Sequence, residues 1–410
     1  MRINLGLERV AKLLAHLGDP QKKLKVLHVA GTNGKGSVCS YLSSILQQGF
    51  RVGQFSSPHL VHITDSITVN SKPIAWNVYR DIRRKLETYN SQYMLHCTEF
   101  ELLTCTAFKY FYDVHCDWCV IEVGLGGRLD ATNIFPGACK FSCGITKIGL
   151  DHEAFLGTTL TQIGREKAGI LVEGVQSAVV DGTNEECVLN VIEEQCERVG
   201  CELTITETNP SVIHTRSWSQ ICPKSPLNGA YQVENLKVAL GMLDDLQQQK
   251  LINFTEESIQ KGLQQVTWPG RLHKLIFHSP DGRSLPLLLD GAHNGSAALE
   301  LAKFLRAEYG QQPLTFVIAV TQGKKLNPLL TPLIRTQDRV IVTQFGSVEG
   351  MPWIHAMKVE ELGEYIATLC EDVRTAQCFK DALSTLAKEN RPVIVCGSLY
   401  LVGEVLRSQC

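Results

Sequence analysis

A glycine-rich loop, GTNGKGS at residues 31–37, constrains the fold more than any other part of the sequence. A short apolar run at 26–29 precedes it, and apolar residues recur at helical spacing after it, over 38–46. A strand, a glycine-rich turn and a helix in this order surround a small space with backbone N–H groups, which can bind phosphate oxygens. The common phosphate-loop pattern has Ser or Thr directly after its Lys, whereas one glycine separates Lys35 from Ser37 here. We therefore predict a variant phosphate loop over residues 31–37, in which Lys35 would lie on the β- and γ-phosphates.

The rest of the chain alternates apolar runs with helical periods, a pattern typical of α/β proteins. Strands are predicted at 51–55, 118–123 and 142–145. Pro and Gly within 268–271 then interrupt the pattern, because both residues break regular structure. The alternation resumes with strands predicted at 285–289, 314–320, 340–342 and 393–396. We expect an α/β fold of two domains, a mainly parallel sheet of the P-loop ATPase type over 1–269 and a smaller Rossmann-like domain over 270–410.

The composition limits the kinds of partner that the chain can bind. The chain has 40 Lys and Arg against 42 Asp and Glu, a net charge of −2, so it lacks the positive excess that nucleic-acid binding requires. Its apolar runs fall well short of the roughly 20 residues that cross a membrane, and charged residues interrupt the N-terminal segment where a secretory leader would lie. The 15 cysteines are scattered, as expected of reduced thiols. We expect a monomeric cytoplasmic protein that acts on small molecules.

Three polar residues lie at the ends of predicted strands, where parallel sheets bind their ligands. Glu122 lies near the end of the strand 118–123. Ser57 follows the strand 51–55, and His152 follows the strand 142–145. A carboxylate is costly at a buried position unless a cation accompanies it. Hydroxyl and carboxylate oxygens suit Mg²⁺, although an imidazole is an unusual addition, and we predict a magnesium site formed by these three residues. The alternative for each is structural, because a histidine or carboxylate at such a place often only caps a turn.

Two further patterns favour structural interpretations. The glycines of GLGG at 124–127 resemble a dinucleotide fingerprint, but Leu129 stands where that fingerprint needs a small residue. The pairs Cys116/Cys119 and Cys139/Cys143 have spacings similar to those of zinc ligands. Because the second cysteine of each pair falls in a predicted strand, we expect buried thiols and no zinc.

Taken together, the motifs resemble those of the Mur ligase-like folate enzymes, which comprise folylpolyglutamate synthases and dihydrofolate synthases. The resemblance rests on GTNGKGS, SPHL at 57–60, IEVGLGGRLDATN at 121–133, LDHEAFLG at 150–157, REKAGI at 165–170, PGR at 269–271 and DGAHN at 290–294. It extends from about residue 5 to the segment 397–405, and so covers nearly the whole chain. The segments 97–111 and 348–356 are most similar to fungal monofunctional members of the dihydrofolate synthase branch.

The resemblance implies roles for individual residues. The ATP phosphates would be bound by Gly34, Lys35, Gly36 and Ser37. ATP would also contact Asn235, Arg271 and Asp290, between an ATP-binding domain and a glutamate-ligase domain. Lys167 corresponds to a lysine that is carbamylated in the family and helps to bind a second Mg²⁺, and His293 would contact the incoming glutamate. With Lys35, these two residues form the expected catalytic set. The expected pterin-binding residues are Leu5, Gly6, Leu7, Thr98, Glu99, Phe100, Glu101, Leu129, Asp130 and Ala131.

The implied reaction is the ATP-dependent joining of L-glutamate to 7,8-dihydropteroate through an acyl phosphate. A carboxylate is a poor electrophile, so its phosphorylation must come first, and the charge of Lys35 would stabilise the transferring phosphoryl group. Two alternatives remain open. One is a folylpolyglutamate synthase or a bifunctional enzyme, which would add glutamate to tetrahydrofolate with the same ATP chemistry. The other is a nucleotide-regulated binding module that performs no ligation.

Overall fold

The structure is a computed structural model that describes residues 5–208, 213–218, 221, 226–278, 282, 284–386 and 389–409. The chain divides into two compact units. The first comprises Met1–His59, Thr64–Pro226 and Tyr231–Thr267, and the second comprises Leu60–Ile63, Leu227–Ala230 and Trp268–Cys410. The sequence gives no sign of the two short segments that join the second unit from earlier in the chain. Within the described residues, no helix is both long and apolar enough to cross a membrane.

The first unit is built on a mainly parallel sheet. Its strands are β1 (Val26–Ala30), β2 (Val52–Phe55), β3 (Ile67–Val69), β4 (Lys72–Pro73), β5 (Trp118–Glu122), β6 (Lys140–Ile145), β7 (Ser177–Val180) and β8 (Glu202–Ile205). Its helices are α1 (Glu8–His16), α2 (Lys35–Leu46), α3 (Trp76–Gln92), α4 (Glu99–Asp113), α5 (Glu153–Leu156), α6 (Leu160–Ala168), α7 (Glu186–Val199), α8 (Gln232–Gln248) and α9 (Glu256–Gln264).

The strand order of this sheet is β4-β3-β2-β5-β1-β6-β7-β8. Strands β2, β5, β1, β6, β7 and β8 are mutually parallel, whereas β3 and β4 form an antiparallel edge. Every residue of β1 and β5 is buried, as expected for parallel strands covered on both faces. Val29 pairs with Glu122 and Ala30 pairs with Ile145. The carboxyl ends of β5, β1 and β6 therefore meet at one edge, and the predicted fold class is confirmed for this unit.

Helix α4 shows how local sequence determines an element. Thr98 precedes the helix and accepts a hydrogen bond from the Glu101 backbone, while the Glu101 side chain accepts one from the Thr98 backbone. This capping box satisfies two of the N–H groups that a helix start leaves without intrahelical partners. Phe108 and Phe111 project from α4 into the core, where both are fully buried.

The second unit contains a six-stranded sheet, within the described residues, in the order β13-β12-β11-β14-β10-β9. Its strands are β9 (His273–His278), β10 (Ser284–Leu289), β11 (Thr315–Ile318), β12 (Arg339–Val342), β13 (Asp372–Thr375) and β14 (Val393–Cys396). Its helices are α10 (Gly295–Tyr309), α11 (Leu326–Leu330), α12 (Val359–Ile366), α13 (Phe379–Thr385) and α14 (Leu399–Arg407). All neighbours are parallel except β9 and β10, so the predicted smaller Rossmann-like α/β unit is confirmed. Within the described residues of this sheet, four strands were predicted from the sequence, and the two edge strands, β9 and β13, were not.

Candidate active site

The glycine-rich loop connects β1 to the N-terminus of α2, as predicted. Gly34 directly precedes α2 with a φ of 92°, and a Cβ at this position would lie 2.1 Å from Asn235 Oδ1. Gly31 has a φ of 149°, and its Cβ would lie 1.8 Å from Thr146 Oγ1. Both positions therefore require glycine, for conformation and for space. The structure also brings Asn235, on α8, against the loop, as the sequence analysis expected for a nucleotide site.

Lys35, Ser57 and Glu122 lie together at the end of the sheet. Lys35 Nζ is 3.9 Å from Glu122 Oε1, and the two side chains are only 16% and 7% exposed. Lys35 Nζ also donates a hydrogen bond to the carbonyl of Thr32. The Ser57 backbone N–H donates to Glu122 Oε2 over 3.3 Å. A nearly buried carboxylate beside a serine supplies the oxygen ligands that Mg²⁺ prefers, so these residues fit the metal.

His152 lies in the segment between β6 and α5. It adopts a left-handed conformation with a φ of 52°, and its imidazole Nε2 lies 3.9 Å from a carboxylate oxygen of Asp151. The same segment is hydrogen-bonded to the phosphate loop, because Gly149 N donates to Thr32 Oγ1 and that hydroxyl donates to the Gly149 carbonyl. The chain thus brings the His152 segment to the edge of the sheet that holds Glu122. Its role as a metal ligand stays a prediction.

Lys167 lies in the last turn of α6 and is only 5% exposed. Its Nζ donates a 2.7 Å hydrogen bond to the carbonyl of Gly31, at the start of the phosphate loop. Burial, together with the positive charge of nearby Lys35, lowers the pKa of Lys167 to about 7, although Asp151 and Asp130 oppose the shift. A neutral amine is the form that reacts with CO₂. The structure therefore places a buried amine beside the phosphate loop.

The three expected pterin-binding segments lie close to one another. Gly6 N donates a 3.2 Å hydrogen bond to the carbonyl of Leu129, which joins the segments 5–7 and 129–131. Arg9, on α1, forms a salt bridge of 3.0 Å with Glu101, at the start of α4. The segments 5–7 and 98–101 are thereby held together as well. A sequence alone could not reveal this pair, because its members are 92 positions apart.

Several side chains in these segments already have structural partners. Glu101 is 3% exposed and binds both Arg9 and the backbone of Thr98, and Glu99 forms a 2.5 Å salt bridge with Arg83. Phe100 lies against Gly124, where a Cβ would be 2.4 Å from its ring. The exposed parts of these segments are therefore the better candidates for substrate contact. The binding roles expected for Thr98, Glu99, Phe100, Glu101, Leu5 and Leu7 stay predictions.

Asp130 is 1% exposed and caps the short turn Ala131–Ile134. Its carboxylate accepts hydrogen bonds from the backbone of Leu125 and from both the backbone and the hydroxyl of Thr132. Burial raises the pKa of Asp130, while these hydrogen bonds oppose the rise. Asp130 thus fixes the GLGG turn to the segment 129–133. Its contact with substrate stays a prediction.

The second unit contains the remaining predicted site residues, around the end of β10. Asp290 is 5% exposed and accepts 2.8 Å hydrogen bonds from the backbones of Leu272 and Ala292. Burial raises the pKa of Asp290, and the charge of Arg271 opposes that rise. His293 Nδ1 lies 2.9 Å from the carbonyl of Gly291. Arg271, Asp290 and His293 are therefore neighbours within this unit.

Two residues that the sequence analysis missed lie next to the phosphate loop. Thr146, just after β6, donates a 2.7 Å hydrogen bond to the carbonyl of Asn33. Gln232, at the start of α8, accepts a hydrogen bond from Asn235. Its own Nε2 donates no hydrogen bond to any group in the described part of the chain. Gln232 is 3% exposed, and a buried amide donor usually requires a partner. Their positions in the sequence could have indicated both residues. Thr146 follows a strand as Ser57 does, and Gln232 lies about one helical turn before Asn235.

A phosphate loop with lysine and carboxylate at the edge of a parallel sheet, followed along the chain by a second α/β unit, defines the chain as a two-unit nucleotide-binding protein of the phosphate-loop class. Residues 273–408 match the family model described as "Dihydrofolate synthetase, C-terminal domain". The chain is 58% identical to the dihydrofolate synthetase of Saccharomyces cerevisiae, across 99% of this chain and 98% of the relative. It belongs to the folylpolyglutamate/dihydrofolate synthase family of ATP-dependent ligases, and the predicted resemblance is confirmed.

Solved structures agree with this placement. A folylpolyglutamate synthase of Mycobacterium tuberculosis, complexed with ADP and AMPPCP, matches 98% of this chain and 95% of its own length, with a TM-score of 0.85 and 28% identity. A bifunctional folylpolyglutamate synthase/dihydrofolate synthase with Mn, AMPPNP and L-glutamate bound matches 99% of this chain and 95% of its own length, with a TM-score of 0.80 and 27% identity. Members of both branches thus have the fold of this chain, and the fold alone does not distinguish their substrates.

Proposed function

We propose that the protein is an ATP-dependent amide ligase that joins L-glutamate to 7,8-dihydropteroate, with dihydrofolate, ADP and phosphate as products. The observation that carries the ligase chemistry is the position of Lys35 beside the nearly buried Glu122 at the end of the phosphate loop. The choice of dihydropteroate is supported by the 58% identity to a yeast dihydrofolate synthetase across nearly the whole chain.

The reaction needs two displacements. The γ-phosphoryl group of ATP first transfers to a carboxylate oxygen of dihydropteroate, which releases ADP and forms an acyl phosphate. The neutral amine of glutamate then attacks the acyl carbon, phosphate leaves, and the amine loses a proton as the amide forms. Lys35 supplies a fixed positive charge next to the transferring group, and the N–H groups at the start of α2 bind phosphate oxygens.

The divalent cation would be held by Ser57, Glu122 and His152, where it would neutralise phosphate charge. We further propose that Lys167 is carbamylated and provides an anionic oxygen for a second Mg²⁺. Its buried amine, hydrogen-bonded to Gly31, supports this proposal, because a neutral amine is the form that takes up CO₂. As a free ammonium group, Lys167 would only repel a cation.

The nucleotide contacts that we propose are Gly34, Lys35, Gly36, Ser37 and Asn235 in the first unit, and Arg271 and Asp290 in the second. Gln232 is an added candidate, because a nucleotide acceptor would satisfy its buried Nε2. We assign substrate binding to the segments 5–7, 98–101 and 129–131, which contact one another through Gly6, Leu129, Arg9 and Glu101. His293 is the proposed contact for glutamate.

The second candidate function is that of a folylpolyglutamate synthase or a bifunctional enzyme, favoured by the similarity to folylpolyglutamate synthase structures. The test is an assay of purified protein with ATP, Mg²⁺ and glutamate, given either dihydropteroate or tetrahydrofolate monoglutamate. ADP release and product mass are measured, with Lys35→Ala as the matched inactive control. We expect product from dihydropteroate alone.

The other outcomes each identify an alternative. Comparable kcat/KM for the two substrates would identify a bifunctional enzyme, and product from the tetrahydrofolate alone would identify a folylpolyglutamate synthase. ATP binding without glutamate-dependent phosphate release would identify a binding module. Size-exclusion chromatography with light scattering tests the proposed monomer, and fractionation of cells tests the proposed cytoplasmic location.

A further inference from the structure

A turn at residues 181–184, just after β7, supports the neighbouring segment 146–149. The turn is held by Asp181, whose Oδ1 accepts hydrogen bonds of 2.9 and 2.7 Å from the backbone and hydroxyl of Thr183. Asn184 is 6% exposed, and its Oδ1 accepts a 2.8 Å hydrogen bond from Ile148 N. Its Nδ2 donates to the carbonyls of Asp181, at 2.8 Å, and Thr146, at 3.4 Å. The Asn184 amide therefore connects the turn to the segment 146–149 through both its oxygen and its nitrogen.

The segment 146–149 in turn holds the phosphate loop. The carbonyl of Lys147 accepts hydrogen bonds from the backbones of Thr32 and Asn33, at 3.0 and 3.2 Å. The hydroxyl of Thr146 donates to the Asn33 carbonyl, and Gly149 exchanges two hydrogen bonds with the Thr32 side chain. The first part of the phosphate loop, as far as Asn33, is therefore hydrogen-bonded to this segment directly before Gly34 and Lys35.

We propose that Asn184 is a positioning residue for the nucleotide: it acts through the segment 146–149 to hold the phosphate loop in its phosphate-binding conformation. The inference rests on the proposed function for its ligand, an ATP phosphate chain, and on the hydrogen bonds above for its route. In the described part of the chain, the side-chain hydrogen bonds of Asn184 join it to Ile148, Thr146 and Asp181 and not to the phosphate loop itself. Its amide is suited to the role, because one group must donate to two carbonyls and accept from one N–H.

A structural role alone would lower stability without changing nucleotide affinity, so affinity is the informative measurement. We would measure the dissociation constant of Mg²⁺-AMPPNP by calorimetry on the full chain, for the wild type and for Asn184→Ala. We expect the variant to bind at least about tenfold more weakly, because a displaced loop no longer presents its N–H groups to phosphate. The KM for dihydropteroate should change much less than the KM for ATP.

The matched control is Gln247→Ala. The Gln247 amide also accepts from and donates to one backbone segment, at Phe254, but it lies near the opposite end of α8 from Gly34 and Asn235. We expect this control to lose thermal stability and to keep the wild-type AMPPNP affinity within about twofold. Asn184→Asp keeps the acceptor for Ile148 and loses the two donors, so it should give an intermediate loss. It also replaces Asn184→Ala in the test if the alanine variant does not fold.

The outcomes separate this inference from the proposed function. Equal affinities for the wild type and both Asn184 variants would overturn the positioning role, whatever the enzyme ligates. The wild type could form no dihydrofolate while only the Asn184 variants bind AMPPNP more weakly than it does. That result would overturn the proposed reaction and support the positioning role. A wild type that binds no AMPPNP would overturn both.

Discussion

The buried amine of Lys167 predicts how fast the chain takes up CO₂ at each pH. With a pKa of about 7, the amine is about one tenth neutral at pH 6, half neutral at pH 7 and nine tenths neutral at pH 8. An exposed lysine with a pKa of about 10.4 is neutral in roughly one molecule in 2,500 at pH 7. Lys167 therefore carries about a thousand times more reactive amine at neutral pH than an ordinary lysine.

The perturbation is removal of CO₂ followed by its return as ¹³CO₂ at constant partial pressure. We expect the initial rate of carbamate formation, followed by ¹³C NMR, to rise about fivefold from pH 6 to pH 7 and less than twofold from pH 7 to pH 8. Ligase activity should return in parallel. Lys167→Ala should lose the signal and most of the activity, and a short carboxylic acid in the buffer should partly restore the activity.

A rate that keeps rising about tenfold per pH unit above pH 7 would refute the argument, because it would come from an ordinary lysine. An active Lys167→Ala enzyme would refute the proposed role.

The same pKa shift also determines how stability changes with pH in CO₂-free buffer. Between about pH 7 and 10 the unfolded chain binds a proton that the folded chain has released, so Lys167 raises the free energy of unfolding by about 1.4 kcal/mol per pH unit. Lys167→Met should lack this slope in urea unfolding.

Four further outcomes are expected. Lys35→Ala should fold but lose at least about a hundredfold in turnover, because roughly 3 kcal/mol of transition-state stabilisation is lost, and near-normal turnover would exclude the phosphate-loop assignment. Gly31→Ala should abolish AMPPNP binding in calorimetry, since its Cβ has no space and the positive φ disfavours a side chain; unchanged affinity would count against the described loop. Arg9→Met leaves the Glu101 carboxylate buried without its cation, so urea unfolding should reveal a loss of about 3 kcal/mol, and the KM for dihydropteroate should rise while that for ATP does not. Elemental analysis should find no zinc bound near Cys116, and about one zinc ion per chain would contradict this.

The parts of the fold that the sequence could predict are those determined by local signals. The loop between β1 and α2 was predictable because its glycines, the apolar run and the helical period are contiguous. The strands β1, β5, β11 and β14, which lie inside the two sheets, are short runs of mainly apolar residues and were predictable for the same reason. The edge strand β13 was missed, because its residues are half-buried or exposed and lack an apolar period. The order of strands within each sheet arises from long-range packing, which local patterns do not encode.

The sequence suggests the members of the candidate site but not the contacts between them. Glu122 was identified because a carboxylate at the end of a buried strand is unusual, and the structure gives it Lys35 as a neighbour. Asn184 carries no such signal, since an asparagine in a turn is ordinary and its partner Ile148 lies 36 positions earlier. A residue that acts by holding a loop can be recognised only from the folded structure, where the loop and the segment that supports it are in contact.

The second unit cannot be made as one continuous piece of chain. Six stretches alternate between the units, so the chain passes from one unit to the other five times. Leu60 packs against the core of the second unit, the carbonyl of Val61 accepts a hydrogen bond from Arg407, and Ile63 N donates to Glu349. During synthesis, Val61 and Ile63 are therefore made 346 and 286 residues before their partners Arg407 and Glu349, a delay of roughly 15 to 70 s. A fragment that begins at Trp268 would lack these partners, and the apolar surface under Leu60 would be exposed to water and to self-association.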